Sequence, residues 1–313
     1  MIKMSNERII FMGTPDFGCA ILQELLDEGL NVVGVVCQPD KLVGRKQVLT
    51  FPVVKQKAID NGIKVIQPVK IRNDYQEVLD LQPDLIITCA YGQIIPNAIL
   101  DCPRLGCINV HASLLPALRG GAPIQHAIID GYAKTGVTIM EMAPRMDAGN
   151  IISQKECVVE EDDTYGSLHD KLIPIACELL RETMPAILAG NHESIPQNED
   201  EVTFGYNISK EEERLDLTRG YQGVYDQIRG LIPVPCAYFT VEGRKVKVWK
   251  AEKTDEYSEK ETGTVVFIDK EIGLVVDGRI IRLKELQPEG KQKMNAREFR
   301  NGAGRNWEGK KAE

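Results

Sequence analysis

The chain of 313 residues lacks most of the features that would place it in a class at a glance. No apolar run approaches the roughly 20 residues of a membrane span. The opening MIKMSNERIIFMG has neither the apolar stretch nor the cleavage site of a secretory signal. A cytoplasmic protein is therefore expected, with no membrane partner. Eight cysteines are present, none in a CxxC pair, which argues against both a disulfide framework and a zinc site and predicts reduced thiols, several buried in apolar strands. There are only four histidines, and no grouping of His, Cys, Asp and Glu has metal-ligand spacing, so no metal is expected. The strand-to-helix turn GTPDFG (13–18) fits neither GxGxxG nor the P-loop pattern; a tight connection, with Asp16 at the helix start, explains it without a dinucleotide. The formal charge of −8 excludes a protein coated in positive charge for nucleic acid.

What is present is organised in two textures. RIIFMG, NVVGVVCQ, KVIQPV, PDLIITCAYG and RLGCINVH are apolar on both faces and separated by helical segments such as DFGCAILQELLDEG and FPVVKQKAIDNG. That alternation predicts an α/β, Rossmann-like, doubly wound and mostly parallel sheet over residues 1–206. The strand TGVTIMEM, the extended NIISQKECVV and the long amphipathic GSLHDKLIPIACELLRETMPAILAG complete it. From residue 207 a helix near TRGYQGVYDQIRGL precedes short alternating strands, AYFTVEG, RKVKVWKAE, TGTVVFID, IGLVVDG and RIIRLKEL, which predict a smaller C-terminal β-barrel. The final GAGRNWEGKKAE is expected to be a loose tail. Residues 1–206 carry 17 Lys and Arg against 27 Asp and Glu, while residues 207–313 carry 21 against 19. The second segment is thus slightly basic, as a module facing a polyanion could be.

CINVHASLLPALRGGAPIQHAI (107–128) carries the clearest chemical signal. Residues two apart on a strand share a face, so Asn109 and His111 project together. They do so at the C-terminal end of a predicted parallel strand, where open α/β sheets place ligands. Against this stands a plain strand end whose polar groups satisfy loop carbonyls; two aligned polar groups favour function. Asp147, in MAPRMDAGN after the strand TGVTIMEM, is a candidate third member able to orient His111 and relay a proton, or else a turn former with Gly149. His126, His169 and His192 have no matching partners in the sequence and are expected to be solvated or capping. Lys41, Arg45 and Lys46 cluster in the exposed loop QPDKLVGRKQV, at the sheet edge that holds the crevice, where they could reach a phosphate backbone.

Together, N-x-H, SLLPALRGGAPIQ and MDAG resemble the formyltransferases that use 10-formyltetrahydrofolate. The similarity runs in order through GTPDFG, QPDKLVGRK, AYGQIIP, RLGCINVHASLLP, TGVTIMEM, ISKEEERLD, VKVWKAE and LQPEGKQKM, nearly the full length. It implies that Asn109, His111 and Asp147 are catalytic. It implies too that Ser113, Leu114, Leu115 and Pro116 lie beside the folate, and that Gly92, Gln93, Ile94 and Ile95, with the backbone of 143–147, wall its pterin. The second domain becomes an OB-like barrel that tracks tRNA, and Lys41, Arg45 and Lys46 enter the acceptor stem. The amine is that of initiator methionyl-tRNA, attacking the formyl carbon directly, and a monomer is expected. Alternatives are a formyltransferase for another amine, such as glycinamide ribonucleotide or an amino sugar, and a non-catalytic RNA-binding protein. Ala117, Leu118 and Val234 depart from residues found in some relatives.

Overall fold

The computed structural model describes residues 6–44 and 47–313. The described residues form two compact units, one of 6–123, 134–158 and 169–206, the other of 124–133, 159–168 and 207–313. The second unit thus takes in two excursions besides the C-terminal segment.

Unit 1 is built on a seven-stranded sheet. Its strands are β1 (Ile9–Gly13), β2 (Val32–Val36), β5 (Lys64–Ile66), β6 (Leu85–Cys89), β7 (Cys107–His111), β8 (Lys134–Glu141) and β9 (Ile151–Val158), in the order β5-β2-β1-β6-β7-β8-β9. The first five are parallel, and β8 and β9 extend the sheet antiparallel. The mostly parallel, doubly wound sheet read from two-faced apolar strands is what forms. Ile10 and Met12 of β1 enter one core with Val78 of α3 (Gln76–Asp80) and Ile99 of α4 (Asn97–Leu100). The alternate residues Ile9 and Phe11 are equally buried on the opposite side. Helix α1 (Asp16–Asp27) buries Phe17, Ile21, Leu22 and Leu25, each such side chain worth about 1.5–3 kcal/mol. Helix α6 (Tyr165–Leu188) meets α1 through Arg181, whose Nε donates to Glu24 Oε1 at 2.7 Å. The chain runs from β1 outward to β2 and β5, then returns to β6 on the other side. The carboxyl ends of β1 and β6 therefore flank a topological switch point, and β7 lies next to β6.

The basic segment 38–48, expected as a loop, contains part of a short hairpin. β3 (Lys41–Val43) pairs antiparallel with β4 (Val48–Thr50), followed by α2 (Val53–Asp60). Leu42, Val48 and Leu49 leave most of their surface exposed.

Unit 2 contains a six-stranded antiparallel sheet. β10 (Tyr238–Val241), β11 (Arg244–Tyr257), β14 (Arg279–Pro288), β13 (Glu271–Val276) and β12 (Val265–Ile268) follow in that order, with β15 (Met294–Asn295) beside β14. These ladders leave β10 and β12 as opposite edges. The segment expected as a loose tail joins them: Val265 N donates to Lys310 O and Gly309 N to Val265 O on one side, while Thr240 and Glu313 exchange both backbone bonds on the other. Trp307, 2% exposed, packs edge-on against Phe239 and Phe299. The composition of GAGRNWEGKKAE suggested a free tail because its one large apolar residue finds both ring partners outside the segment, at Phe299 and at Phe239 on β10. α5 (Pro123–Ile129) contributes Ile129 to this core, α7 (Gly220–Gly230) contributes Tyr221, Val224 and Ile228, and α8 (Ala296–Asn301) contributes Phe299. The buried Arg229 ties 159–168 to α7, its Nε donating to Asp226 Oδ1 at 2.7 Å and its Nη1 to the carbonyls of Glu160 and Asp163. No helix of the described residues is long and apolar enough to cross a membrane.

Candidate active site

β7 delivers Asn109 and His111 to one face at its carboxyl end, as the two-residue period requires. The Thr88 hydroxyl on β6 donates to Asn109 Oδ1 at 2.8 Å. That bond orients the amide and leaves its Nδ2 hydrogens for another acceptor. His111 is nearly buried, and its Nε2 lies 3.0 Å from the carbonyl of Leu118. A carbonyl only accepts, so Nε2 carries a hydrogen and Nδ1 is the nitrogen whose protonation can change. Nδ1 stands 3.8 Å from Asp147 Oδ1, too far for a direct hydrogen bond but close enough for charge to act. The structure thus brings together the imidazole and the carboxylate from positions 36 apart in the chain.

Asp147 is held at both its side chain and its backbone. Its Oδ2 accepts the Gly120 N–H at 2.8 Å, and the Gln197 amide donates to the carbonyls of Asp147 and Gly149 at 2.8 and 2.7 Å. Gln197 Oε1 in turn accepts from Arg119 Nε and Nη2 at 3.0 and 2.8 Å. Arg119 is 2% exposed, and its charge is met by Glu199, which also pairs with Arg145. The two guanidinium groups hold the Glu199 carboxyl below the usual carboxylate range, the hydrogen bond from Arg119 acting most strongly. Gly120 has φ +128°, and a Cβ there would lie 2.5 Å from Gly205 O; at Gly149 a Cβ would collide with Glu141 O. Leu118 and Asp147 have φ of 60° and 50°, a left-handed backbone that costs a non-glycine residue about 1–3 kcal/mol. Sequence inspection missed Thr88, Arg119, Gly120 and Gln197 as positioning groups. The only signal for them was the pair of glycines after Arg119.

Of the residues assigned to the folate, Ser113 and Leu115 are buried and turned into the support of their own loop. Ser113 Oγ donates to Ala117 O, Leu115 N donates to Thr138 Oγ1, and Gln154 Nε2 donates to Leu115 O. Leu114 and Pro116 are half-buried. Gly92, with φ 85°, and Gln93 follow the end of β6; Ile94 is 67% exposed and Ile95 is buried. Gln93 fastens this wall by accepting the Ile71 N–H and donating toward Gln38 Oε1. Beside it a cavity of about 440 Å³ is lined by Lys70, Arg72, Asn73, Gln93 and Ile94. Thr14 and Gln38 both donate to Tyr91 O, so GTPDFG serves to knit the switch point together. Lys41 is exposed on β3, whereas Arg45 and Lys46 lie outside the described residues. His126, His169 and His192 each face a carboxylate, of Asp130, Asp170 and Glu141. No group of three His, Cys, Asp or Glu fit to hold a metal occurs among the described residues.

Residues 7–184 match the family described as formyl transferase, and residues 207–304 match the formyl transferase C-terminal domain. The chain belongs to the formyl transferase family. This formyl transferase is 50% identical over 299 residues to a methionyl-tRNA formyltransferase of Bacillus thuringiensis (strain Al Hakam), covering 94% of this chain and 95% of that one, and equally similar to one from Bacillus cereus (strain AH820). Two solved structures share its fold. HypX from Aquifex aeolicus matches with a TM-score of 0.69 at 16% identity over 97% of this chain and 50% of that one. An N-formyltransferase from Helicobacter canadensis, in complex with folinic acid and dTDP-3-aminofucose, matches with 0.68 at 18% over 90% and 98%. Asn109, His111 and Asp147 fall inside the first matched segment, while Gln197, Glu199 and Phe204 fall between the two.

Proposed function

We propose that this enzyme transfers the formyl group of 10-formyltetrahydrofolate to the amino group of initiator methionyl-tRNA, yielding N-formylmethionyl-tRNA for translation initiation. The observation that carries the proposal is the likeness to methionyl-tRNA formyltransferases at 50% identity across 94% of the chain. The donor set fits the folate co-substrate. The wall at 92–95 offers exposed apolar surface at Ile94, and Lys70 and Arg72 line the neighbouring cavity, where they suit the carboxylates of a folate tail. All three catalytic groups come from one chain, so a single copy suffices, and a monomer acting in the cytoplasm is the working form.

In the reaction a bond forms between the amine nitrogen and the formyl carbon, the bond from that carbon to N10 breaks, and one proton passes from the amine to N10. Asn109 Nδ2, freed by the Thr88 bond to Oδ1, donates to the formyl oxygen as charge develops there. His111, protonated on both nitrogens, donates from Nδ1 while Leu118 O holds Nε2. Each such preorganised donor is worth about 3–4 kcal/mol of barrier. Asp147 keeps one oxygen on the Gly120 N–H and turns the other toward His111, placed to take the amine's proton and pass it on. Lys41, Arg45 and Lys46 bind the RNA backbone. Replacing Arg45 and Lys46 together with Ala raises the KM for methionyl-tRNA most at low salt and makes its rise with salt shallower than in the wild type; an unchanged salt dependence would remove the segment from the RNA site.

The test is incubation with methionyl-tRNA and 10-formyltetrahydrofolate, followed by release and detection of N-formylmethionine. Formylation of a dTDP-amino sugar without any formylation of methionyl-tRNA would overturn the proposal.

A further inference from the structure

Lys55 stands at the third position of α2, close to the positive end of the helix dipole, where a cation is disfavoured and a carboxylate is the usual occupant. It is also largely covered, its side chain 14% exposed. A lysine that breaks the local rule and gives up most of its water has its reason elsewhere in the fold. Its Nζ donates to both oxygens of Asp40, at 2.9 and 2.7 Å, and lies 3.9 Å from the centre of the Phe51 ring. Asp40 is the residue before β3, and Phe51 is the residue after β4. One ammonium therefore grips both legs of the hairpin at its neck, the first by an ion pair and the second by a cation–π contact.

The neck is fixed in turn to the crevice. Gln67 Nε2 donates to Asp40 Oδ1 at 2.8 Å and to Gln38 O at 2.9 Å, and Gln38 Nε2 donates to Tyr91 O, just past the carboxyl end of β6. The bond from Gln67, and then the Lys55 ammonium, hold the Asp40 carboxyl below the usual carboxylate range, so the pair is charged at neutral pH. Beyond the neck, Leu42, Val48 and Leu49 are each more than half exposed, and packing of these side chains does not set the hairpin's direction.

We propose that Lys55 is the positioning residue that aims the basic hairpin at the phosphate backbone of the RNA substrate, an assignment that rests on the function proposed above. Lys55 makes no phosphate contact of its own, because its charge is met by Asp40 and its side chain is largely covered. Its replacement therefore acts on RNA binding through the cations that the hairpin carries, Lys41, Arg45 and Lys46.

The experiment compares the wild type with Lys55→Met, which keeps the side chain's length without its charge, and Lys55→Arg, which keeps the charge. Lys57→Met makes the same change of net charge two residues on, where the ammonium donates to Gln23. Dissociation constants for methionyl-tRNA are measured by filter binding over a range of salt, and initial rates against both substrates at low salt. Lys55→Met is expected to raise the Kd and KM for methionyl-tRNA about tenfold at low salt and to lower the slope of log Kd against log salt by about 1, the share of one phosphate contact. Its kcat and its KM for the folate should stay within about twofold of wild type. Lys55→Arg, able to pair with the carboxylate and lie on the ring, should stay within about threefold, and Lys57→Met within about twofold. Phe51→Leu, which releases one leg and keeps the ion pair, tests the same grip where Lys55→Met does not fold, and is expected to raise the Kd about threefold. Wild-type Kd and salt slope in Lys55→Met, or in Phe51→Leu standing in for it, would overturn the assignment. So would an equal loss in Lys57→Met, which would reduce the effect to net charge. A fall in kcat or a rise in the folate KM as large as that for methionyl-tRNA would overturn it too, because Lys55 would then hold the crevice as a whole. Since Kd is read without turnover, a wild type that binds methionyl-tRNA but leaves it unformylated would reject the proposed function and not the grip on the hairpin.

Discussion

The same backbone anomaly serves two ends in the two units. In unit 2 the non-glycine residues with positive φ include Glu242 and Asp277, each followed by a glycine also at positive φ, in two-residue connections between paired strands. A type I′ hairpin turn demands that geometry, so these positions report only how β10 meets β11 and β13 meets β14. In unit 1 the positive φ values at Leu118 and Asp147 belong to no hairpin. One residue presents the carbonyl that fixes His111, and the other presents the carboxylate. Strain marks a site here only because long-range bonds from Gln197, Gly120 and Thr203 over-determine it. A list of unusual dihedrals would not separate the two cases; their partners do.

The contrast extends to charge. The slight basic excess of residues 207–313 is partly spoken for within unit 2, where Arg282 faces Glu256, Asp269 and Glu271, and Lys284 faces Glu252 and Glu271. Net charge by segment is therefore a weak guide to where RNA would bind, and unpaired cations such as the exposed Lys41 matter more.

The largest expected effect lies in unit 1. Asn109→Ala and His111→Ala should each lower kcat about 10²- to 10³-fold while the unfolding temperature stays near wild type, measured with methionyl-tRNA saturating. Asp147→Asn, which tolerates the left-handed backbone and can still accept the Gly120 N–H, should lose turnover and not stability. An active Asp147→Asn enzyme would strip the carboxylate of its proposed role. Next comes the barrel: Trp307→Ala removes a buried ring and should cost about 3–5 kcal/mol in urea denaturation. A loss of under about 1 kcal/mol, the size of an ordinary surface change, would mean that the tail is not part of the core. Glu242→Asn should do the reverse at a smaller scale. It places Asn-Gly, the favoured type I′ pair, in the β10–β11 turn and stabilises by up to about 1 kcal/mol, giving up only the exposed pair with Lys310. The smallest effect is chemical. Burial pushes the Cys37 thiol up to about 11. Since a raised thiol pKa keeps the neutral form below that pH, Cys37 should resist iodoacetamide at pH 8. The exposed Cys102 should react with little change in activity, as mass spectrometry of the labelled protein would show.

How much of this was legible beforehand follows from the range of each interaction. The strands of unit 1 declare themselves because apolar residues on both faces are a local pattern, and Asn109 and His111 declare a shared face through a spacing of two. Asp147 was suggested by its place after a strand. Arg119 and Gln197 were not legible, since an arginine and an amide 78 positions apart share no local signal. Nor was Thr88, a β-branched residue at home in any buried strand, whose hydroxyl becomes meaningful only when β7 lies alongside. The barrel's strands were visible as alternation and turns, but its seal was not.

That seal bears on how the protein is made. Glu313 pairs with Thr240, 73 residues before it, so during vectorial synthesis β10 leaves the ribosome long before its neighbour across the seam exists. Through that interval the nascent sheet carries a bare edge, the kind of surface that recruits holdase chaperones or invites pairing between polysomal neighbours. Slowed translation of the codons for residues 302–313 should therefore lower soluble yield without altering the finished enzyme.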